Sequence, residues 1–253
     1  MEIKLILLFS IIMIFALTVC GVIGFASNVI AFPLLSLILD LKTAVIILVA
    51  VSFLQSLVQT VIYKAFINYK DLLIISAFIL AGMPVGYLTL NYLDEIVLKL
   101  ILGLFILFIA AKNLYETFHL KSDVNDFKDK PWRKLYLLIS GFLSGSFACG
   151  GPLVVIYCTK RFQERDSFRA ILFGTGAVTM GVYMIVNIIN GAFINQTLYL
   201  SAIAVVLIIP AVIMSSKIAV RLNSKIFQTL VNLTLILSGI ITLVQVAERG
   251  LFS

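Results

Sequence analysis

Long apolar runs separated by short polar or charged clusters recur along the whole chain, near residues 5–39, 43–63, 71–91, 96–118, 134–159, 170–190, 197–216 and 226–247. About 20 apolar residues, rising about 1.5 Å each, cross a hydrocarbon core of about 30 Å. Six of the eight runs therefore predict ordinary membrane-spanning helices. The runs 5–39 and 134–159 are longer, and each carries a cluster of small residues ahead of a proline, Pro33 or Pro152. The pattern predicts an all-α polytopic membrane protein with broken or re-entrant helices in those two runs.

Sliding the chain along itself by 127 residues aligns Lys42–Asn68 with Arg169–Asn195 without a gap, and 7 of the 27 positions are identical. The shared end is Ala65-Phe66-Ile67-Asn68 against Ala192-Phe193-Ile194-Asn195, and the small-residue stretches before Pro33 and Pro152 correspond as well. An internal duplication follows, with a first repeat over 1–118, a connecting loop over 119–133 and a second repeat over 134–253.

Loop charge orients the halves. Loop 112–134 carries Lys112, Lys121, Lys128, Lys130, Arg133 and Lys134; loop 160–169 carries Lys160, Arg161, Arg165 and Arg169; loop 217–225 carries Lys217, Arg221 and Lys225. Loop 190–196 carries no basic residue. The positive-inside bias places the basic loops in the cytoplasm and 190–196 outside. With both 112–134 and 160–169 inside, the run 134–159 must enter and leave on one side as a re-entrant hairpin. Continuing backwards puts 91–95 outside and 63–71, with Lys64 and Lys70, inside, so equivalent loops face opposite sides and the repeats are inverted. Eight simple crossings with a parallel repeat are the alternative. The N-terminal stretch from Lys4 to Cys20 has the look of a signal peptide, but Val19 is too large for a good cleavage site and the apolar run continues to Leu39. It is expected to be retained.

Composition agrees with the spans: 62% hydrophobic and 12% charged residues, with a mean hydropathy of +1.14. The net charge of +7 sits in loops between spans, where orientation in the membrane accounts for it, and no nucleic-acid partner is expected. Cys20, Cys149 and Cys158 all lie in apolar runs, which argues against a disulfide framework.

The chemistry concentrates where helices are expected to break. The stretch from Gly141 to Leu153 combines Ser144, Ser146 and Cys149 with the pair Gly150-Gly151 ahead of Pro152. Paired glycines leave helical geometry readily, and proline suits the first turn of a new helix. Unwound backbone at membrane depth must line a cavity or be covered by protein. A half-helix beginning at Pro152 aims unpaired N–H groups and the positive end of its dipole at the membrane midplane, an arrangement that binds anions. The first half repeats the device with Gly21, Gly24, Ser27 and Asn28 before Pro33. Close helix packing is the competing explanation for the small residues. Ser52, Gln55, Ser56 and Gln59 on one span and Thr175 and Thr179 on its equivalent share helical faces. They line a pathway or bond helix to helix. Lys42 and Arg169 open equivalent spans and either attract anions at opposite mouths or snorkel to the interface.

Other chemistries lack their residues. No Asp or Glu lies deep in a span, so a buried carboxylate proton relay has no support. The one histidine, His119, sits at a loop edge, and no Gly-x-x-x-x-Gly-Lys is present. No cofactor, metal or catalytic residue is expected.

Gly-Phe-Leu-Ser-Gly and Gly-Gly-Pro-Leu-Val-Val-Ile-Tyr within 141–157, together with Gly24, Phe25, Pro33, Leu34 and Leu35, resemble the TauE/SafE sulfite exporter family, also called TSUP permeases. The resemblance implies a multi-pass inner-membrane protein of bacteria or archaea that moves sulfite, organosulfonates or related small organosulfur anions, often outward. The reading from residues and resemblance together is a secondary transporter working by alternating access, with a small anion and the lipid bilayer as partners and a homo-oligomer as an open possibility. The rival readings are a channel for the same anions, a sulfur-relay protein using Cys149, and a non-transporting membrane scaffold.

Overall fold

The computed structural model describes residues 3–23, 27–119, 133–159, 161–162, 164–221, 232–233, 236–237 and 239–247. Its helices are α1 (Ile3–Ile23), α2 (Ser27–Leu35), α3 (Leu41–Ile62), α4 (Tyr69–Tyr92), α5 (Glu95–His119), α6 (Lys134–Phe147), α7 (Gly151–Thr159), α8 (Arg165–Ile189) and α9 (Asn195–Arg221), and 239–247 is helical. No strand occurs among the described residues. Among the described residues, five stretches are long and apolar enough to cross a membrane: Lys4–Gly21, Leu41–Ile62, Tyr69–Tyr92, Asp166–Ile189 and Asn195–Ser215. The chain is an all-α, multi-pass membrane protein. Apolar side chains such as Leu7, Ile11, Val61, Leu88, Val206 and Ile209 are exposed on the outer faces of the helices, as a hydrocarbon solvent requires. Residues 120–132 of the connecting loop, residues 24–26 and residues 226–231, 234–235 and 238 of the run 226–247 lie outside the described residues.

Local chemistry sets the helix starts. Asp40 accepts from the Thr43 N–H at 2.9 Å to begin α3, and Asn68 accepts from the N–H groups of Lys70 and Asp71 at 3.1 and 3.3 Å to begin α4. Such caps satisfy donors that a helix leaves unpaired in its first turn.

Helix α3 runs antiparallel to α8. Tyr63 stacks on Phe173, Ser56 faces Gly176, and Phe53 faces Gly181. Helix α4 runs parallel to α6: Gly82 lies against Leu138, Gly86 against Phe142, and Thr89 bonds Ser146 at 2.9 Å. The α4/α6 contact is backbone on backbone, because a Cβ on Gly82, Gly86, Gly141 or Gly145 would collide with a carbonyl of the facing helix.

The run 134–159 is a hairpin. Beyond α6, Ala148 adopts the left-handed conformation at φ 55°, and the chain turns back so that the Ser140 hydroxyl donates to the Gly150 carbonyl at 2.8 Å. Arg161, just past α7, bonds Asp71 in the first turn of α4 at 2.6 Å. Lys134, which opens α6, lies 5.3 Å from the Phe78 ring centre on the same half of α4. The end of α7 has therefore returned to the end of the bundle from which α6 set out. That end gathers Lys64, Lys70, Arg133, Lys134, Arg161 and Arg169 and is the basic end of the bundle; the opposite end, with 91–95 and 190–196, is the one expected to lie outside.

The run 5–39 forms a second hairpin of opposite sense. Ser52, half-way along α3, bonds Asn28 at the start of α2 at 2.8 Å, and α2 leads into the Asp40 cap at the start of α3. Helix α2 thus runs from mid-bundle to the outer end. Leu17 accepts from Gln55 at 3.2 Å, about 21 Å along α3, whereas Gly21 abuts Ser215, about 30 Å along α9 from the outer end. Helix α1 therefore descends from the outer side before the chain turns. The two hairpins enter from opposite faces, which is the inverted arrangement.

Pro33 departs from expectation. It lies inside α2, which begins at Ser27, so it does not open the half-helix as Pro152 does in α7. Deep burial of Phe32, Pro33 and Leu35 in the core holds the turn that proline weakens. Lys99 is also unforeseen: it is 1% exposed and pairs at 2.9 Å with Glu95, one turn earlier at the start of α5.

Candidate functional site

The starts of α2 and α7 meet half-way across the bundle around a cavity of about 100 Å³. A water needs about 10–15 Å³ of such space, so the cavity has room for a small anion with a few waters. Ser27, Asn28, Ser52, Gln55, Ser144, Cys149, Gly151, Thr175 and Thr179, all expected from the sequence, line it together with Ser56. The half-helices run to opposite faces, so both positive dipole ends point at this space.

Asn28 ties the two breaks together. Its Nδ2 donates to the carbonyl of the left-handed Ala148 at 2.6 Å, and its Oδ1 accepts from Ser52 at 2.8 Å and Ser27 at 3.3 Å. Its amide is largely committed to bracing the protein.

Hydrogen-bond accounting narrows the set of available donors. Thr175 donates to the Ile171 carbonyl at 2.6 Å, and Thr179 to the Thr175 carbonyl at 2.8 Å. Each hydroxyl hydrogen is held by its own helix and leaves an oxygen lone pair for the cavity. Gln55 Nε2 gives one of its two hydrogens to the Leu17 carbonyl. Cys149 Sγ lies 3.0 Å from the Phe147 carbonyl and points back into the turn. Ser144 differs: it is 4% exposed, and its hydroxyl has no hydrogen-bond partner among the described residues. Ser56 also lines the cavity, and its hydroxyl likewise has no hydrogen-bond partner among the described residues. Besides these two hydroxyls and the second Gln55 N–H, the donors at the wall are the N–H groups at the starts of α7 and α2, which have no intrahelical carbonyl to bond. Helix α7 supplies fewer donors than a start at Pro152 predicts. Proline has no N–H, and Leu153 N bonds the Gly150 carbonyl at 3.2 Å.

Five expected residues fall outside the cavity wall. Gln59 is buried one turn beyond Gln55 on α3 and does not reach the cavity. Ser146 faces α4, bonding Thr89 and the carbonyls of Gly86 and Phe142, because it lies on the side of α6 that makes the close contact. Gly150 is pressed against Ser140 and Ser144 and shapes the turn. Lys42 is exposed at the outer start of α3. Arg169 stands at the basic end, donating to the Tyr63 hydroxyl at 3.0 Å and lying 5.9 Å from that ring centre. Tyr63 in turn stacks at 6.3 Å on Phe173, which does line the cavity.

Sequence reasoning missed Cys20, Phe173, Gly176 and Met180 in the wall. Gly176 had a signal, since it lies between Thr175 and Thr179 on the polar face of α8. The other three are apolar or weakly polar residues in apolar runs and carried none.

The model of the family described as Sulfite exporter TauE/SafE matches residues 9–244. A protein of Methanocaldococcus jannaschii described as a probable membrane transporter is 30% identical over 148 residues, covering 56% of this chain and 54% of the relative. The match thus spans about half the length of that curated relative. No solved structure matches the chain.

Proposed function

We propose, from the premise that this chain belongs to the sulfite exporter TauE/SafE family, that it is a secondary carrier of small organosulfur anions such as sulfite or organosulfonates. The observation that carries the reading is the convergence of two half-helix starts on one cavity lined by neutral polar groups, half-way across an inverted pair of hairpins. Backbone N–H groups and the Ser144 hydroxyl bind the anion, and the dipoles of α2 and α7 supply the favourable potential without a buried basic side chain.

Alternating access follows from the same geometry. Each hairpin packs against the fourth helix of the other half, α6 on α4 and α1 on α9. Rocking one unit against the other opens the cavity to either face around a fixed site. The Tyr63–Phe173 stack under Arg169 closes the cytoplasmic approach, and Arg169 attracts anions to it. Outward transport across a prokaryotic inner membrane is the direction proposed. No covalent chemistry on the substrate is invoked.

The experiment is flux of sulfite, simple sulfonates, thiosulfate and carboxylates in proteoliposomes, with and without substrate on the opposite side. Saturable movement of sulfur oxyanions, accelerated by substrate on the trans side, is the expected outcome. Flux that fails to saturate and ignores the trans side identifies a channel, and absence of flux from folded, inserted protein defeats the proposal.

A further inference from the structure

We infer that the cavity selects its substrate by charge state, taking oxyanions that carry one negative charge and rejecting those that carry two. This rests on the cavity being the anion site. Among the described residues, no carboxylate, amine, guanidinium or imidazole lines the cavity. Its positive potential comes from the two converging helix starts, each equivalent to roughly half an elementary charge. Together they balance about one unit. A second negative charge finds no counter-charge in the wall, and an uncompensated ion in a site largely surrounded by protein is disfavoured.

The surrounding charges do not alter this balance. Arg161 is paired with Asp71 at the basic end. Arg169 bonds Tyr63 and is separated from the cavity by the Tyr63 and Phe173 rings. The titratable groups at the wall itself are the thiols of Cys20 and Cys149.

The hydrogen-bonding pattern points the same way. Among the described residues of the wall, the hydroxyls of Ser144 and Ser56 have no hydrogen-bond partner and keep their hydrogens for a ligand. Gln55, 2% exposed, gives one Nε2 hydrogen to Leu17 and leaves its other N–H and Oε1 without a protein partner among the described residues. Ser27 and Ser52 donate their hydrogens to Asn28 Oδ1, so at the wall these hydroxyls are acceptors rather than donors. A wall with acceptors as well as donors suits an oxyanion that retains a proton, and an organosulfonate, which has none to donate, can turn its apolar substituent toward Ile79, Val154 and Met180 instead.

The test is the binding of three probes to the purified full-length protein in detergent, with no membrane gradient. The probes are methanesulfonate, which keeps one charge; sulfate, which keeps two; and sulfite, followed across the pH range in which it passes from one charge to two. Methanesulfonate is expected to bind with little pH dependence, and so reports any titration of the protein itself. Sulfate is expected to bind at least about 100-fold more weakly. The apparent affinity for sulfite, relative to methanesulfonate, is expected to fall about tenfold per pH unit once the doubly charged form dominates. Met180→Lys places a cation of similar length in the wall and is expected to bring sulfate to within about tenfold of methanesulfonate. Sulfate binding as tightly as methanesulfonate, sulfite binding that ignores pH, or continued exclusion of sulfate by folded Met180→Lys overturns the inference while leaving an anion site in place. Failure of all three probes to bind overturns the anion site and the inference with it. The wild-type comparison decides alone if Met180→Lys does not fold.

Discussion

Replacing Asn28 by Ala severs the one side-chain bond that joins the two helix breaks among the described residues. Asn28 is 8% exposed, and its Nδ2 lies 2.6 Å from the Ala148 carbonyl. Without it that acceptor is left buried and unpaired, at a cost of about 1–3 kcal/mol. Ala148 holds a left-handed conformation at φ 55°, which costs a non-glycine residue about 1–2 kcal/mol. Once the bond is gone the turn can relax and carry the α7 start away from the cavity. Taking about 2 kcal/mol as the loss of pre-organisation, anion affinity falls about 30-fold. Asn28→Asp keeps acceptors for Ser52 and Ser27 but cannot donate to Ala148, and its charge repels the ligand, so it is expected to fall below Asn28→Ala. Adding Ala148→Gly to Asn28→Ala removes the conformational strain and is expected to recover about fivefold, equivalent to about 1 kcal/mol. The assay is equilibrium binding of a sulfonate to detergent-purified protein, with thermal unfolding alongside. An Asn28→Ala protein whose affinity and unfolding temperature both match wild type would refute the bracing role.

Gly86→Ala drives a methyl into the Phe142 carbonyl, whereas the methyl of Gly174→Ala meets only the end of the Leu72 side chain, 2.9 Å away. Thermal unfolding is expected to show a loss of about 2–3 kcal/mol for the first and under about 1 kcal/mol for the second; equal losses contradict the close α4/α6 contact. Arg169→Ala is expected to raise the apparent KM for anion flux severalfold and Lys217→Ala to leave it unchanged, since Arg169 stands over the aromatic approach to the cavity and Lys217 is exposed near the end of α9. Equal effects reduce Arg169 to an orientation signal. Cys149→Ala is expected to keep at least half of wild-type flux, because the thiol points toward the Phe147 carbonyl; abolished flux in folded protein favours a sulfur-relay chemistry instead.

Much of this architecture is written locally. A backbone in hydrocarbon must satisfy its own hydrogen bonds, so apolar runs of spanning length are helices, and the double glycine before Pro152 marks where one stops. The polar faces of α3 and α8 follow from helical spacing alone, so the positions of Ser52, Gln55, Thr175 and Thr179 along the chain suffice to group them on a pathway. Loop charge likewise requires that 134–159 return to its own side. What needed the tertiary structure is whatever depends on the rotation of a helix about its axis or on partners remote in sequence. Ser144 and Ser146 are two residues apart, yet one faces the cavity and the other α4. The hydroxyl hydrogens of Thr175 and Thr179 are taken by their own helix, and Asn28 is a brace because Ala148, 120 residues away, presents a carbonyl to it. Cys20, Phe173 and Met180 enter the wall only because α1, α3 and α8 pack there. Periodicity fixes which residues share a face, but only packing decides what that face meets.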